Sequence, residues 1–193
     1  MQWIPFLIKE FSELYPKVQF QMIYGGYDEI EEQIRAGKLD CGFTIERYQT
    51  DLTVIPLMSD EFKVVLYPEH KLTHYKEIPP HTLEGEAFIF PSIGAKYGVQ
   101  PILEENGVTP NIRFKAEDDY TAIAMTELNL GITILPQLIL DGAESTVEIR
   151  SLTTHPSRSI GIAVHSLQYA TPLTRKFLDF TADWVGRNYP VNL

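Results

Sequence analysis

Residues 118–136, DDYTAIAMTELNLGITILP, constrain the fold more than any other part of this chain. Two acidic residues precede apolar and small residues at helical spacing, so we predict an amphipathic helix capped by Asp118 or Asp119. Gly131 is predicted to end this helix in the left-handed backbone conformation. Residues 132–135 then predict a buried strand, which Pro136 ends because it cannot donate to a β-ladder. This order indicates an α/β fold with parallel strands covered on both faces.

The composition excludes several classes of protein. A formal net charge of −10 over 193 residues argues against nucleic-acid binding by this chain alone, because phosphate contacts require a positive face. A single cysteine excludes an internal disulfide and fits a reducing compartment. No stretch approaches the ~20 apolar residues of a membrane span, and the N-terminus lacks the features of a secretion signal. We therefore expect a cytoplasmic protein without a membrane partner.

Periodicity along the rest of the chain predicts alternating helices and strands. The predicted helices cover residues 3–15, 28–37, 95–106 and 171–184. The predicted strands cover residues 18–24, 39–45, 52–57, 60–68, 87–90, 111–116, 146–152 and 159–165, and 146–152 is expected at a sheet edge. The strand–helix–strand order of residues 18–45 predicts a right-handed parallel crossover.

Several motifs, taken together, resemble the effector-binding domain of LysR-type transcriptional regulators. They are FxxxYPxVxF from Phe11 to Phe20, IRAGKLDCGFTI at 34–45, EFKVVLYPEHKL at 61–72 and LNLGITILP at 128–136. The resemblance implies two Rossmann-like α/β lobes joined by two crossing strands, as in type 2 periplasmic binding proteins. Lobe I would comprise residues 1–61 with 163–193, and lobe II residues 62–162. A small-molecule effector is expected in the cleft between the lobes.

The sequence departs from the family pattern at its beginning. The family opens this domain with an apolar strand and a loop that carries Ser or Thr, whereas this sequence begins inside or just before the first helix. That strand, the winged helix-turn-helix and the linker helix are therefore expected to be absent, with DNA contacted only through the absent N-terminal domain. The family implies a homodimer, and a tetramer for the full-length protein. The first helix and the helix bearing Ile30 and Ile34 are candidates for the dimer interface, unless both apolar stripes simply face the sheet.

The candidate effector site follows from the rule that ligands bind beyond the C-terminal ends of strands in open parallel sheets. Loops after three predicted strands and part of a fourth strand qualify. The candidate ligand-binding residues are Thr44, Ile45, Glu46, Ser92, Ile93, Gly94, Asp118, Asp119, Tyr120, Thr133 and Pro136. The hydroxyls of Thr44 and Ser92, with nearby backbone amides, are suited to a carboxylate or other small anion. The alternative is that Ser92 and Asp119 only cap their helices.

Acidic residues in these loops predict the chemistry of the effector. Glu46, Asp118 and Asp119 would repel a dicarboxylate. We therefore expect an effector with an amino group or several hydroxyls, unless all of these acids point to solvent.

No catalytic, metal or cofactor motif is present. The five histidines are scattered, and His70 and His74 lack a plausible third metal ligand. Cys41 lies in an apolar strand, where an inert thiol is usual. No nucleophile elbow, phosphate-binding loop or dinucleotide fingerprint occurs. We therefore predict a regulatory domain without enzymatic activity; the alternative is a solute-binding protein or small enzyme of related fold.

Overall fold

The computed structural model describes residues 3–46, 50–92 and 95–189. The chain divides into two compact units: unit 1 comprises residues 1–59 and 158–193, and unit 2 comprises residues 60–157. The family resemblance implied that the chain passes from one lobe to the other after residues 61 and 162. Each of these positions is a few residues later in the sequence than the corresponding boundary between the two units.

The described part of the chain contains the following elements. The helices are α1 (Ile4–Leu14), α2 (Tyr27–Arg35), α3 (Val99–Glu105), α4 (Asp119–Glu127), α5 (Gln137–Leu140) and α6 (Pro172–Asn188). The strands are β1 (Gly42–Ile45), β2 (Thr53–Leu66), β3 (Glu77–Ile78), β4 (Ala87–Pro91), β5 (Asn111–Ala116), β6 (Thr133–Pro136), β7 (Glu148–Leu152) and β8 (Ser157–Val164). The mixed α/β architecture agrees with the predicted fold class.

Unit 1 is built on a sheet in which β8 lies between β1 and the first part of β2. β1 and β8 pair antiparallel, with Thr44 opposite Gly161. Helices α1 and α6 pack through aromatic rings: the Phe11 centroid lies 5.1 Å from that of Phe177 and 5.3 Å from that of Phe180. On α2, Ile30 and Ile34 belong to a buried cluster with Ala163 of the sheet. The apolar stripe of α2 therefore faces the sheet of its own unit.

The strand predicted over residues 18–24 is wrong, because residues 18–26 belong to none of the β-ladders in the described ranges. Phe20 still reaches α1 and α6 through ring contacts with Phe11 and Phe177. However, 62% of Met22 and 42% of Ile23 are exposed. Alternation predicts how side chains are distributed, but a strand also needs a neighbour that supplies hydrogen bonds. The predicted parallel crossover is therefore also wrong, and β1 pairs antiparallel with β8.

Unit 2 contains a sheet in the order β6–β2–β7–β3 and a separate parallel pair, β4 and β5. β2 pairs antiparallel with β6 on one side and with β7 on the other. The two predicted strands over residues 52–68 are one continuous strand, and 146–152 is not an edge, because β3 lies beyond β7. A buried apolar cluster that includes Phe62, Phe88 and Ile134 forms the core.

The segment 118–136 folds as a helix and a strand, with two differences from prediction. Asp118 caps α4, and the left-handed residue after this helix is Asn129, with φ 56°, rather than Gly131. Gly131 instead permits a close approach, because a Cβ there would lie 2.7 Å from the carbonyl oxygen of Ala87. The segment runs parallel to β4 only at the Ile132–Phe88 bridge, and β6 then pairs antiparallel with β2.

Candidate functional site

In unit 1, the predicted residues Thr44, Ile45 and Glu46 lie at the C-terminal end of β1. Thr44 is 1% exposed, and its hydroxyl donates to Oε1 of Glu31 over 2.7 Å. Glu31 comes from the middle of α2 and is itself only 3% exposed. The Thr44 hydroxyl thus donates its proton to Glu31 inside unit 1, and this proton is not available to an anionic ligand.

The buried Glu31 carboxylate belongs to a network on the following turn of α2. Arg35 Nη2 lies 3.2 Å from Glu31 Oε2, and Arg35 Nε donates to Asp51 Oδ1 over 2.7 Å. The hydrogen bond from Arg35 lowers the pKa of Asp51 below its usual range. Helix α2 is therefore hydrogen-bonded to Thr44 within β1 and to Asp51. Sequence reasoning missed this network, although Glu31 and Arg35 have the i, i+4 spacing of a helical ion pair.

The exposed end of β1 carries a second set of polar contacts that sequence reasoning missed. The Ser159 hydroxyl donates to Oε2 of Glu46 over 2.9 Å, and the Glu46 amide donates to the Ser159 carbonyl over 2.8 Å. The neighbouring Arg158 donates through Nη1 to the Tyr27 hydroxyl over 2.8 Å. Glu46 is itself exposed, as a contact with an effector requires.

In unit 2, Ser92 and Asp118 follow strands that end side by side. Pro91 of β4 is opposite Ala116 of β5, and the Ser92 amide donates to the Ala116 carbonyl over 2.7 Å. Because Ile132 is bridged in parallel to Phe88, Pro136 lies toward the same end as Ser92. The structure therefore brings Ser92, Asp118 and Pro136 to one end of unit 2. The predicted residues Ile93 and Gly94 lie outside the described residues.

The two aspartates at the start of α4 have different positions. Asp118 Oδ1 accepts from the Thr121 amide over 2.8 Å, and its Oδ2 accepts from the Thr121 hydroxyl. The hydrogen bond from the Thr121 hydroxyl, followed by the one from the Thr121 amide, lowers the pKa of Asp118. Asp119 lies in the first turn, and the adjacent Tyr120 is 46% exposed. The role of helix cap, which was the alternative considered for Asp119, thus belongs to Asp118.

Thr133 is fully buried in β6. It is paired with Val65, on the face where Val65 and Leu135 pack against Ile123 of α4. The Thr133 hydroxyl has no hydrogen-bond partner within the described part of the chain. A buried hydroxyl without a partner is unusual and is costly to maintain. Thr133 therefore differs from Ser92 and Asp118, which are themselves exposed.

Helices α2 and α4 both begin with carboxylates of their own. The first turn of α2 contains Asp28 and Glu29, and α4 has Asp118 as its cap and Asp119 in its first turn. Carboxylates at a helix N-terminus satisfy the positive end of the helix dipole. The two N-termini are therefore poor places for an additional anion.

The described residues show no metal site. No group of three or more His, Cys, Asp or Glu among them is arranged to bind a metal ion. His155 Nδ1 lies 3.0 Å from Glu61 Oε1, while His70 Nε2 lies 3.5 Å from Glu86 Oε2. Burial, followed by the nearby charge of Asp40, raises the pKa of the Cys41 thiol to about 12. That thiol stays protonated at neutral pH and is a poor nucleophile. None of the helices in the described ranges has the length and apolar character needed to cross a bilayer.

Comparison with known proteins identifies the relatives of this chain. Residues 1–186 match the LysR substrate binding domain family. The uncharacterized HTH-type transcriptional regulator YybE of Bacillus subtilis is 30% identical over 181 residues, which are 92% of this chain and 62% of that protein. YvbU of the same organism, another uncharacterized HTH-type regulator, is 27% identical over 95% of this chain and 63% of its own length. The chain thus spans less than two thirds of the length of these relatives.

Solved structures share the fold at lower identity. The regulatory domain of Synechocystis PCC6803 CcmR, in complex with 2-PG, superposes with a TM-score of 0.86 at 23% identity, covering 95% of this chain and 91% of that one. The effector binding domain of QuiR, in complex with shikimate, has a TM-score of 0.82 at 22% identity, covering 95% and 90%. These similarities show the type 2 periplasmic-binding-protein-like fold.

Proposed function

The chain belongs to the LysR substrate-binding domain family, and we propose that it binds a small-molecule effector and thereby controls DNA binding by a longer regulator. Effector binding would shift the conformation of a dimer or tetramer, because a ligand that binds one conformation better changes its population. DNA would be contacted by another domain of the longer protein. The relatives named above are HTH-type transcriptional regulators, which supports this assignment.

The observation that carries the proposal is the polar end of unit 2. Ser92, Asp118 and Pro136 end neighbouring segments on the same side, as expected for a ligand site beyond strand ends. In unit 1, Glu46 at the end of β1 is exposed and bonded to Ser159. We propose that Ser92, Asp118, Pro136 and Tyr120 contact the effector, and that Glu46 is a candidate contact for the same reason.

The charges favour an effector that donates hydrogen bonds, with an amino group or several hydroxyls. Glu46 and the acids of α4 would attract an ammonium group, and the N-termini of α2 and α4 already have carboxylates. An effector that carries both an ammonium group and hydroxyls satisfies all of these groups.

For self-association we favour α1 over α2 as the unit 1 surface. Phe6 and Leu14 of α1 are 63% and 62% exposed, whereas Ile30 and Ile34 of α2 are buried against their own sheet. Exposed apolar side chains on one helix indicate a surface that another chain can cover. Sedimentation velocity on the wild type and on Phe6→Glu tests this choice, and an unchanged oligomeric state in Phe6→Glu refutes it.

A thermal-shift screen against amino acids, amines, sugars, organic acids and aromatics tests the function, with mass spectrometry of each hit for turnover. A ligand at about a hundred times its dissociation constant adds roughly 2.7 kcal/mol. For a chain of this size that corresponds to about 5–11 °C. A shift without turnover supports an effector-binding domain, whereas turnover or the absence of any hit contradicts it.

Variants then test the effector class. We expect Glu46→Gln and Asp119→Asn to weaken the binding of an amine effector, whereas Glu105→Gln, an exposed acid on α3, leaves it unchanged. Calorimetric titration measures each affinity. Tight binding of a dianion without an ionisable amine would refute the charge argument.

A further inference from the structure

Glu31 is the strongest candidate for a specificity-determining residue outside the predicted site. It is a carboxylate on α2 that is 3% exposed, and both of its oxygens are engaged. Oε1 accepts from the Thr44 hydroxyl over 2.7 Å, and Oε2 lies 3.2 Å from Arg35 Nη2. A buried carboxylate is stable only with such partners, so the three side chains form one network inside unit 1.

The direction of the Thr44 hydrogen bond follows from valence. An ionised carboxylate is only an acceptor and a guanidinium only a donor, whereas a threonine hydroxyl has one proton and can also accept. With Arg35 donating to Glu31, the carboxylate has no proton to offer Thr44. The Thr44 proton must therefore point to Glu31, and its oxygen can only accept from any third group.

A second hydroxyl donates its proton to a carboxylate at the exposed end of β1, two residues after Thr44. There the Ser159 hydroxyl donates to the Glu46 carboxylate over 2.9 Å. The hydroxyls of Thr44 and Ser159 are thus both oriented by acids, and this part of unit 1 presents oxygen acceptors. Arg35 also donates to Asp51, so it has a second carboxylate partner beside Glu31.

We infer that Glu31 sets the hydrogen-bonding direction of Thr44, so that the unit 1 part of the effector site accepts an N–H or O–H donor of the ligand and discriminates against a carboxylate. This inference rests on the proposed function and specifies the ligand group that faces β1. Because Thr44 is 1% exposed, the selected group is small, such as an ammonium or a hydroxyl. Glu31 is a positioning residue that acts through Thr44.

Glu31→Gln tests the inference because the introduced side-chain amide reverses the direction of the hydrogen bond between residue 31 and Thr44. Arg35 remains a pure donor, so the oxygen of the introduced side-chain amide turns to Arg35, and the amide nitrogen donates to Thr44. The Thr44 proton is then released toward the ligand. Glu32→Gln is the matched control, since Glu32 is the adjacent, exposed acid of α2. It removes the same charge and leaves Thr44 unchanged.

The probes are serinol and glycerate, which have similar size and opposite charge. NMR titration of the Thr44 and Ile45 amides measures both affinities. We expect the wild type and Glu32→Gln to favour serinol, and Glu31→Gln to shift the affinity ratio toward glycerate by about tenfold or more. In a Thr44→Val background, Glu31→Gln should leave the ratio unchanged. Amide spectra and unfolding curves establish that each variant is folded.

A second measurement needs no ligand. In the wild type, the Thr44 hydroxyl proton should exchange slowly and be detected through its coupling to the side-chain carbons, and Glu31→Gln should accelerate its exchange. The inference is overturned if that proton exchanges fast in the wild type, or if Glu31→Gln and Glu32→Gln shift the affinity ratio equally. It is also overturned if neither probe perturbs Thr44 or Ile45, while the effector screen still decides the proposed function separately.

Discussion

Replacing Gly131 with alanine should destabilise unit 2 through a clash with β4. A Cβ at this position would lie 2.7 Å from the Ala87 carbonyl oxygen and 3.1 Å from its carbon. That oxygen accepts from the Ile132 amide over 2.8 Å, and the Ile89 amide donates to the Ile132 carbonyl over 2.8 Å. The methyl group therefore pushes apart the two segments that these hydrogen bonds join.

The expected loss combines two contributions. Overpacking a well-packed site costs about 1–3 kcal/mol, and weakening the Ile132 hydrogen bonds adds about 1 kcal/mol. Ile132 is 1% exposed, so the strand cannot move without disturbing the core. A total of about 2–4 kcal/mol corresponds to a fall in Tm of roughly 4–16 °C.

Thermal unfolding followed by circular dichroism measures this change, with Gly186→Ala as the matched control. Gly186 lies in α6, and a Cβ there meets nothing within 4 Å. Alanine at a helical glycine is favoured by about 0.5–1 kcal/mol, so the control should raise the Tm. A fall of less than about 2 °C in Gly131→Ala, or equal shifts in the two variants, would refute the close-approach argument.

Further predictions concern buried polar groups and the cap of α4. Thr133→Val should raise the free energy of unfolding by about 1 kcal/mol in urea titrations, because the valine removes a hydroxyl that has no partner in the described ranges; a destabilised variant would contradict this. Cys41, which is half-buried, should react slowly with a disulfide reagent at pH 8 and faster on unfolding, because its pKa in the folded protein is raised to about 12; fast reaction in the native state would contradict the raised pKa. Asp118→Ala should cost about 0.5–2 kcal/mol near pH 7, as expected for loss of an N-cap. Since the pKa of Asp118 is lowered in the folded state, its stabilisation is present above the unfolded pKa and lost as the pH falls through the folded pKa. If the free energies of unfolding of Asp118→Ala and the wild type still differ by the same amount below the folded pKa of Asp118, the capping argument is refuted.

Local patterns predicted the elements whose causes are local. Asn111–Ala116 is a strand as predicted, and Asp118, one of the two predicted caps, caps α4. Each depends on residues within a few positions of one another. The same holds for the family resemblance, whose motifs lie in short segments and which the family match confirms.

The candidate site was only partly accessible to sequence reasoning. Ser92 and Asp118 were predicted together because strand ends of a parallel pair meet. The hydrogen bonds of Glu31 and Arg158 were not predicted, because their partners Thr44 and Tyr27 are 13 and 131 residues away along the chain. Nothing in the local pattern of α2 indicates that one of its acids is buried.

The sequence by itself determined the α/β class and the family, and it limited the cap of α4 to Asp118 or Asp119, because periodicity, capping residues and short motifs act over a few residues. Only the tertiary structure decided that residues 18–26 form no strand, that Gly131 serves a close approach and that Thr44 donates to Glu31. Each of these depends on which distant segment lies alongside. Hydrogen-bond direction, steric clearance and strand pairing are properties of pairs of segments, and a single segment cannot specify its partner.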